Sequence, residues 1–381
     1  MQNLTRYWPL LLILIVGCIE SYIPDFDQSD AKLLVVDGFV NASENRVTAR
    51  LRYTLPLNSL EPSPAENFAA VSLEDDQGNS WALSNVGDGN YTLEAFSADL
   101  HTRYKLVVEV NQERIESDLV SIQSTPEIQS VVWAADDNGV TIRVNTGTEQ
   151  DAADYYFWEF EETWEYTSVY YSVIKIENDL ILPRSIDELT HTCWLTVPSS
   201  GISIVAANQF ENQLIRNFPI IEIPKGSQKL FKGYSVLVRQ QAIDRKGYEY
   251  WLELQKTTQD VGGLFDPLPA RIKGNLRSIS NPDKPVLGFF RGAQTNTMRI
   301  SIDYDELPET HQFLLSRQGC PYDTITVPGA PGLKNSFRLI APVYDAAGGF
   351  VQLIGYSFST TFCTDCRVQG GTTTKPEFWY E

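Results

Sequence analysis

The chain is poor in the residues from which active sites are most often built. Its three histidines, His101, His191 and His311, are scattered among Thr and Gln neighbours. None belongs to an HExxH helix or a close pair, so zinc-peptidase chemistry has no support. Gly233-Tyr234-Ser235 and Gly355-Tyr356-Ser357 lack the second glycine of a GxSxG elbow, the strained turn that exposes a hydrolase serine. Neither GxxxxGK[ST] nor GxGxxG occurs, so no phosphate-cradling loop is expected. Basic charge is scarce as well: 30 Lys and Arg stand against 49 Asp and Glu, a net charge of −19. Nucleic acid is therefore excluded as an expected partner, because phosphate binding requires clustered cations. The acidic runs Glu74-Asp75-Asp76 and Asp303-Tyr304-Asp305-Glu306 do not match an EF-hand loop and suit turns, where Asp accepts backbone hydrogen bonds. No catalytic residue, cofactor or metal ligand set is expected, and the protein is read as not an enzyme. A glycosidase needs only two carboxylates at a set distance, which keeps glycan hydrolysis as a minor alternative.

Long apolar runs are also few. Leu10 to Val16 form one, too short to span a bilayer, which needs about 20 residues. It has the length of a signal-peptide core followed by a small residue. Ile15-Val16-Gly17-Cys18 resembles the lipobox of bacterial lipoproteins, in which a peptidase cuts before the cysteine and acyl chains are attached to it. Several chains hold a protein on a membrane where one would bind only marginally. The expectation is a signal peptide over 1–17, lipidation at Cys18 and a polar, acidic tether over 18–30. Glu20, Asp25 and Asp27 follow the cysteine and resemble the acidic signal that sends some Bacteroidota lipoproteins to the outer face of the outer membrane.

Of five cysteines, Cys18 is thus set apart. Cys193, Cys320, Cys363 and Cys366 remain, an even number that in an exported chain suggests disulfides. Their pairing is open among three connectivities. Cys363-Thr-Asp-Cys366 has a metal or redox spacing, but Cys193 and Cys320 stand alone and supply no second close pair of zinc ligands.

What is abundant points to strands. Aromatics make up 12% of the chain and methionines number two, a balance that favours β structure. In RVTARLRY (46–53) Val47, Ala49, Leu51 and Tyr53 alternate on one face. Asp76-Gln77-Gly78-Asn79, Gly87-Asp88-Gly89-Asn90 and Asp137-Asn138-Gly139 are turn signals between short strands. Strands at intervals of about ten residues indicate a sandwich. In YYFWEFEETWEY (155–166) the even positions Tyr156, Trp158, Phe160, Trp164 and Tyr166 are aromatic, interrupted by Glu162, while Glu159, Glu161 and Glu165 are odd. That is a half-buried strand with an acidic face; a sandwich core is expected from its aromatics ahead of a sugar-stacking platform. One helix is expected over 242–259, capped by Asp244, with Tyr248, Trp251, Leu252 and Leu254 largely on one side. Thr125-Pro126 marks a boundary, since a residue before proline is held extended. The fold class is all-β: an N-terminal immunoglobulin-like sandwich over 31–125 and a C-terminal β-rich domain over 126–381, enlarged by the helix and long loops.

Taken together, Cys18 with Glu20, LLVVDGFV (33–40), YSVLVRQQAIDRKGYEYW (234–251) running into FDPLPARIKGNL (265–276), PVLGFF (285–290) and CTDCRVQGGTTTKPEFW (363–379) resemble domain-of-unknown-function family 4249, outer-membrane lipoproteins of Bacteroidota. The resemblance extends over nearly the whole mature chain and brings no catalytic residues. It implies a surface-exposed, lipid-anchored protein beside a TonB-dependent transporter, serving as an accessory binding or lid subunit for a glycan or peptide ligand. The alternative is a structural pilin or adhesin. A pilin would need cleavage at an Arg or Lys to free a donor-strand groove, and the available Arg46, Arg50 and Arg52 lie within expected strands.

Overall fold

The computed structural model describes residues 32–55, 61–199, 201–258, 272–333, 336–346 and 350–379. Cys18, the expected signal peptide and the tether lie outside the described residues. No helix among those described is long and apolar enough to cross a membrane.

The first eight strands are β1 (Leu34–Asn41), β2 (Arg46–Tyr53), β3 (Ala70–Asp75), β4 (Ser80–Gly87), β5 (Asn90–Leu93), β6 (Arg103–Val110), β7 (Glu113–Ser117) and β8 (Val120–Ser121). Alternation sets their faces: in β2, Val47, Ala49 and Leu51 are buried while Arg46, Thr48 and Arg50 are exposed. Strand β4 makes the corner of a sandwich. Ser80 to Leu83 pair with β3, and from Ser84 onward the same strand pairs with β5. The two halves close over one core that includes Val36, Leu51, Leu73, Tyr91, Leu106 and Ile115. Asp75 fastens the turn after β3, its carboxylate accepting from the amides of Gln77 and Asn79 at 2.9 and 2.8 Å.

The second group comprises β9 (Ile128–Ala135), β10 (Gly139–Thr146), β11 (Tyr155–Thr167), β12 (Ile174–Glu177), β13 (Leu180–Pro183), β14 (Thr192–Pro198), β15 (Ser203–Ala206), β16 (Ile215–Pro224) and β17 (Gly233–Ala242). Helix α1 (Arg245–Thr258) follows, then β18 (Leu276–Ser278), β19 (Leu287–Ala293), β20 (Thr295–Asp303), β21 (Asp323–Thr326), β22 (Phe337–Asp345) and β23 (Gln352–Thr360). Sheet β16-β10-β9 faces sheet β14-β11-β17-β20, with β15 beside the start of β11. Their shared core holds Val140, Ile142, Tyr156, Trp158, Tyr166, Val236 and Val238. Helix α1 covers the outer face of the second sheet, where Tyr248, Trp251 and Leu252 pack on Phe157, Ile204 and Ile243. Asp244 begins it as expected, accepting from the Gly247 amide at 2.8 Å. A third, smaller unit joins sheet β21-β23-β22 to the hairpin β12-β13 over Ile174, Ala330 and Leu339. The fold is all-β, built from sandwiched sheets, and α1 is the only α-helix longer than one turn among the described residues.

These sheets divide the chain differently from the expected boundary between 125 and 126. Strand β19 pairs in parallel with β1, and β18 pairs with β7, so residues 276–293 complete the first sandwich. The reason is visible in the backbone. Gly288 has φ +106°, and a side chain there would put its Cβ 1.9 Å from the Val36 carbonyl oxygen. Buried Asn275 then ties the approach, donating to the Phe290 carbonyl at 2.7 Å and accepting from its amide at 2.8 Å. The added strands cover edges that would otherwise be open.

The Thr125-Pro126 junction is a clamp. The Asn296 amide donates to the carbonyls of Thr125 and Pro126 at 2.6 and 3.0 Å, and the Gln240 amide donates to Pro126 at 2.8 Å. Thr125 Oγ1 in turn accepts from the Ala242 amide at 2.9 Å. Beside it, buried Arg291 spans both sandwiches. It donates to Gln241 at 3.0 Å, lies 3.4 Å from Asp37 and 3.8 Å from Glu159, and stacks over Phe39, Phe157 and Trp251.

Candidate functional site

The residues singled out in the sequence resolve mostly into structure. Cys193 is bonded to Cys366 and Cys320 to Cys363. The two cysteines of the CxxC spacing therefore hold different partners, which leaves no dithiol for redox chemistry in that motif. The three histidines lie apart, and no group of three or more His, Cys, Asp or Glu placed to hold a metal ion occurs among the described residues. Glu74 pairs with Lys105 and Arg114, and Asp76 with Arg103. Asp303 and Glu306 close a capping box on a single 3-10 turn.

The aromatics of β11 are core: Tyr156, Trp158 and Tyr166 are buried, so they form no platform. Glu162, the interruption in that pattern, is buried with them, because Tyr234 donates to it at 2.8 Å and Lys229 at 2.7 Å. Burial, and then the Glu162 charge, push the Tyr234 phenol well above its ordinary pKa. On the opposite face Glu161 meets Arg299 at 3.4 Å and Arg239 at 3.7 Å. Arg46, Arg50 and Arg52 all belong to β2, which is hydrogen-bonded to β1 along one side and to β5 along part of the other.

A cleft is found in the third unit. It measures about 630 Å³ and is walled by Ile174, Lys175, Ile176, Asn178 and Asp179 of the β12-β13 hairpin, by Arg184 after it, and by Pro331, Leu333, Phe337, Arg338 and Leu339. The hairpin reverses through Asn178 and Asp179 at φ +52° and +62°, the conformation of a two-residue hairpin turn. Ser172, buried, donates to the Leu339 carbonyl at 2.6 Å and locks the hairpin's base to β22. A 3-10 turn at Val327–Gly332 contributes Pro331, and Leu333 caps its end. The other long stretch, 262–274, is described only from residue 272.

The cleft's cations are unequally satisfied. Lys175 pairs with Glu177 at 2.6 Å and with Glu188. Arg338 gives one nitrogen to Asp365 at 3.1 Å, but its Nε is buried without a partner. Among the described residues the Arg184 side chain donates to neutral oxygens, the Ser172 hydroxyl and the Glu188 carbonyl, both at 3.3 Å. Burial, and next the like charge of Arg338, lower its pKa. Asp365 is shared by Arg338 and Arg367. Burial works to raise its carboxyl, but the Arg367 hydrogen bonds and the two positive charges outweigh it and hold it below the ordinary aspartate value. Arg184 and Arg338 retain donor capacity beyond these contacts among the described residues. Sequence reading missed both. The available signal was an arginine inside the apolar stretch FRLIAPVY, in a chain where cations are few.

The architecture defines a β-sandwich protein with an appended, disulfide-tied unit. The family model described as "Domain of unknown function (DUF4249)" matches residues 19–299, and the chain belongs to that family. The match covers both sandwiches up to β20. It stops short of 363–379, so the resemblance expected over nearly the whole mature chain is narrower than that. No curated protein matches the chain. Among solved structures, a two fibronectin type-III domain segment from chicken tenascin is similar at 14% identity, over 55% of this chain and 90% of that one, with a TM-score of 0.14. The fold assignment rests on the sheets described above.

Proposed function

We propose that the protein is a non-catalytic lipoprotein of the outer-membrane surface, held by acyl chains on Cys18, and that it serves as a binding or lid subunit beside a TonB-dependent transporter. The observation that supports this reading most is the cleft of about 630 Å³, within the usual range for small-molecule sites. Its walls offer guanidinium donors and an apolar strip, which suit holding a ligand. Residues 19–30, even fully extended, would reach about 40 Å at roughly 3.3 Å per residue. The body thus stays within reach of a neighbouring membrane protein's outer loops. The clamp at Thr125-Pro126 and the Arg291 bridge favour a stiff body that transmits contact at one end to the other.

Extraction in mild detergent followed by cross-linking mass spectrometry tests the reading. The expected result is co-purification with a transporter barrel and cross-links from residues 126–381 to it. A protein that runs alone, or whose cross-links join only copies of itself head to tail, defeats the reading and favours the pilin. In the same cells Cys18→Ala abolishes fatty-acid labelling and leaves the chain as precursor or in a soluble fraction.

A further inference from the structure

We propose that the cleft between the β12-β13 hairpin and β22 binds a small organic molecule through a single carboxylate, received by Arg184 and Arg338, with the molecule's less polar body lying against Pro331, Leu333 and Phe337. The inference deepens the binding reading above and rests on it only for the biological use of the ligand, since binding in the cleft needs no transporter.

Three observations carry it. Arg184 has no carboxylate within salt-bridge distance among the described residues; its partners are a hydroxyl and a backbone carbonyl. Asp365 and Glu188 act on it only at a distance, less than burial and the Arg338 charge act against it, and direct pairing with an anion would relieve that cost. Arg338 stands in the same wall with its Nε unpartnered and buried. Two planar guanidinium forks provide bidentate geometry, which recognises carboxylates and phosphates better than an ammonium does.

The surroundings then bear on which of those anions fits. Asp179 is exposed on the same wall, Glu177 and Glu188 sit at Lys175, and the whole chain carries −19. A ligand's charge scales its attraction to the two guanidiniums and its repulsion from these acids together, so the apolar strip beside the arginines is what favours an organic carboxylate over inorganic phosphate. Pro331, Leu333 and Phe337 are half-buried and give the remainder of the ligand an apolar surface. The chemistry fits two sources, the free C-terminus of a short peptide and the acid group of a uronic sugar.

Isothermal titration of the full mature chain in detergent distinguishes them. The probes are an N-acetylated leucyl dipeptide and its C-terminal amide, methyl galacturonoside and its neutral methyl galactoside counterpart, and inorganic phosphate. At least one acid should bind, and its uncharged partner should bind about tenfold more weakly or less, the scale of one charge-assisted hydrogen bond. Which acid binds identifies the source. Arg184→Gln should weaken that binding by a similar factor with little change in melting temperature, because Arg184 has no ion pair to lose. Arg338→Gln should also weaken it; since Arg338 also holds Asp365, Arg184→Gln is the deciding variant. Equal binding of acid and neutral probes, stronger binding of phosphate, no binding by either acid at millimolar concentration, or unchanged affinity in a well-folded Arg184→Gln protein each overturns the proposal. None of these outcomes depends on cross-links to a transporter, and a failed cross-linking experiment leaves the titration standing.

Discussion

The two sandwiches and the C-terminal unit are held together by different means. Each sandwich has a continuous apolar core, one running from Leu34 to Phe290 and the other from Ile128 to Cys366. The third unit buries only Ile174, Ala330 and Leu339 in its own cluster, among the described residues. A core that small cannot offset the entropy of ordering its chain. Both disulfides are found there: Cys320 to Cys363 closes the unit on itself, and Cys193 to Cys366 fastens it to β14. Ion pairs do not distinguish it: Arg338 and Arg367 meet on Asp365 and Lys175 on Glu188, but the first sandwich has its own network around Lys105 and Arg114. Cross-links stand in where apolar area is short, and the candidate cleft lies in that less self-sufficient part of the fold.

The comparison breaks first if a core change in a sandwich proves as local as one in the small unit. Trp158 is fully buried and its indole donates to Gln240 at 2.9 Å. Trp158→Ala should cost about 3–5 kcal/mol and lower the main melting transition. Leu339→Ala should instead raise hydrogen exchange chiefly over 320–379. Calorimetry alongside exchange mass spectrometry separates the two outcomes.

Reduction of the bridges is next in size. Each should be worth about 2–4 kcal/mol. Reduced protein should lose exchange protection in β21, β22 and β23 while β1, β2 and β6 keep theirs. Uniform loss across the chain would mean that the sandwiches also depend on the bridges.

Arg291 sharpens the comparison between the sandwiches themselves. Arg291→Met should keep the stack on Phe39, Phe157 and Trp251 but leave Gln241 without its partner, at about 1–3 kcal/mol. Solution scattering should then show a broader distribution of sandwich orientations; an unchanged profile would mean that the clamp at Thr125-Pro126 suffices by itself.

The smallest effect is with pH. The folded Asp365 carboxyl titrates below its unfolded value of about 3.9. Its contribution to stability is therefore present above about pH 4 and is lost as pH falls through the lower, folded value. Urea unfolding of wild type and Asp365→Asn should differ at pH 7 and converge towards pH 2.

Much of this was legible locally. The parity of 155–166 named Tyr156, Trp158, Trp164 and Tyr166 as buried but not Phe157, which lies on the other face under α1; Asp244 named the start of α1, because side-chain direction and capping depend on neighbours in sequence. The same parity reading passed over Glu162, whose burial depends on Lys229 and Tyr234 from another part of the chain. PVLGFF stood out as a motif, yet only the fold shows that Gly288 within it lets β19 lie against β1.

The sequence by itself determined where strands begin and turn, which faces they bury and that four cysteines were available to pair, since these follow from periodicity, φ preference and count. Tertiary structure alone decided that Cys193 takes Cys366 and Cys320 takes Cys363, that residues 276–293 return to the first sandwich, and that Arg184 and Arg338 face one cleft. A period reports that a face is buried but carries no address for its partner. The partner is selected by which distant surfaces fit together once the sheets have formed.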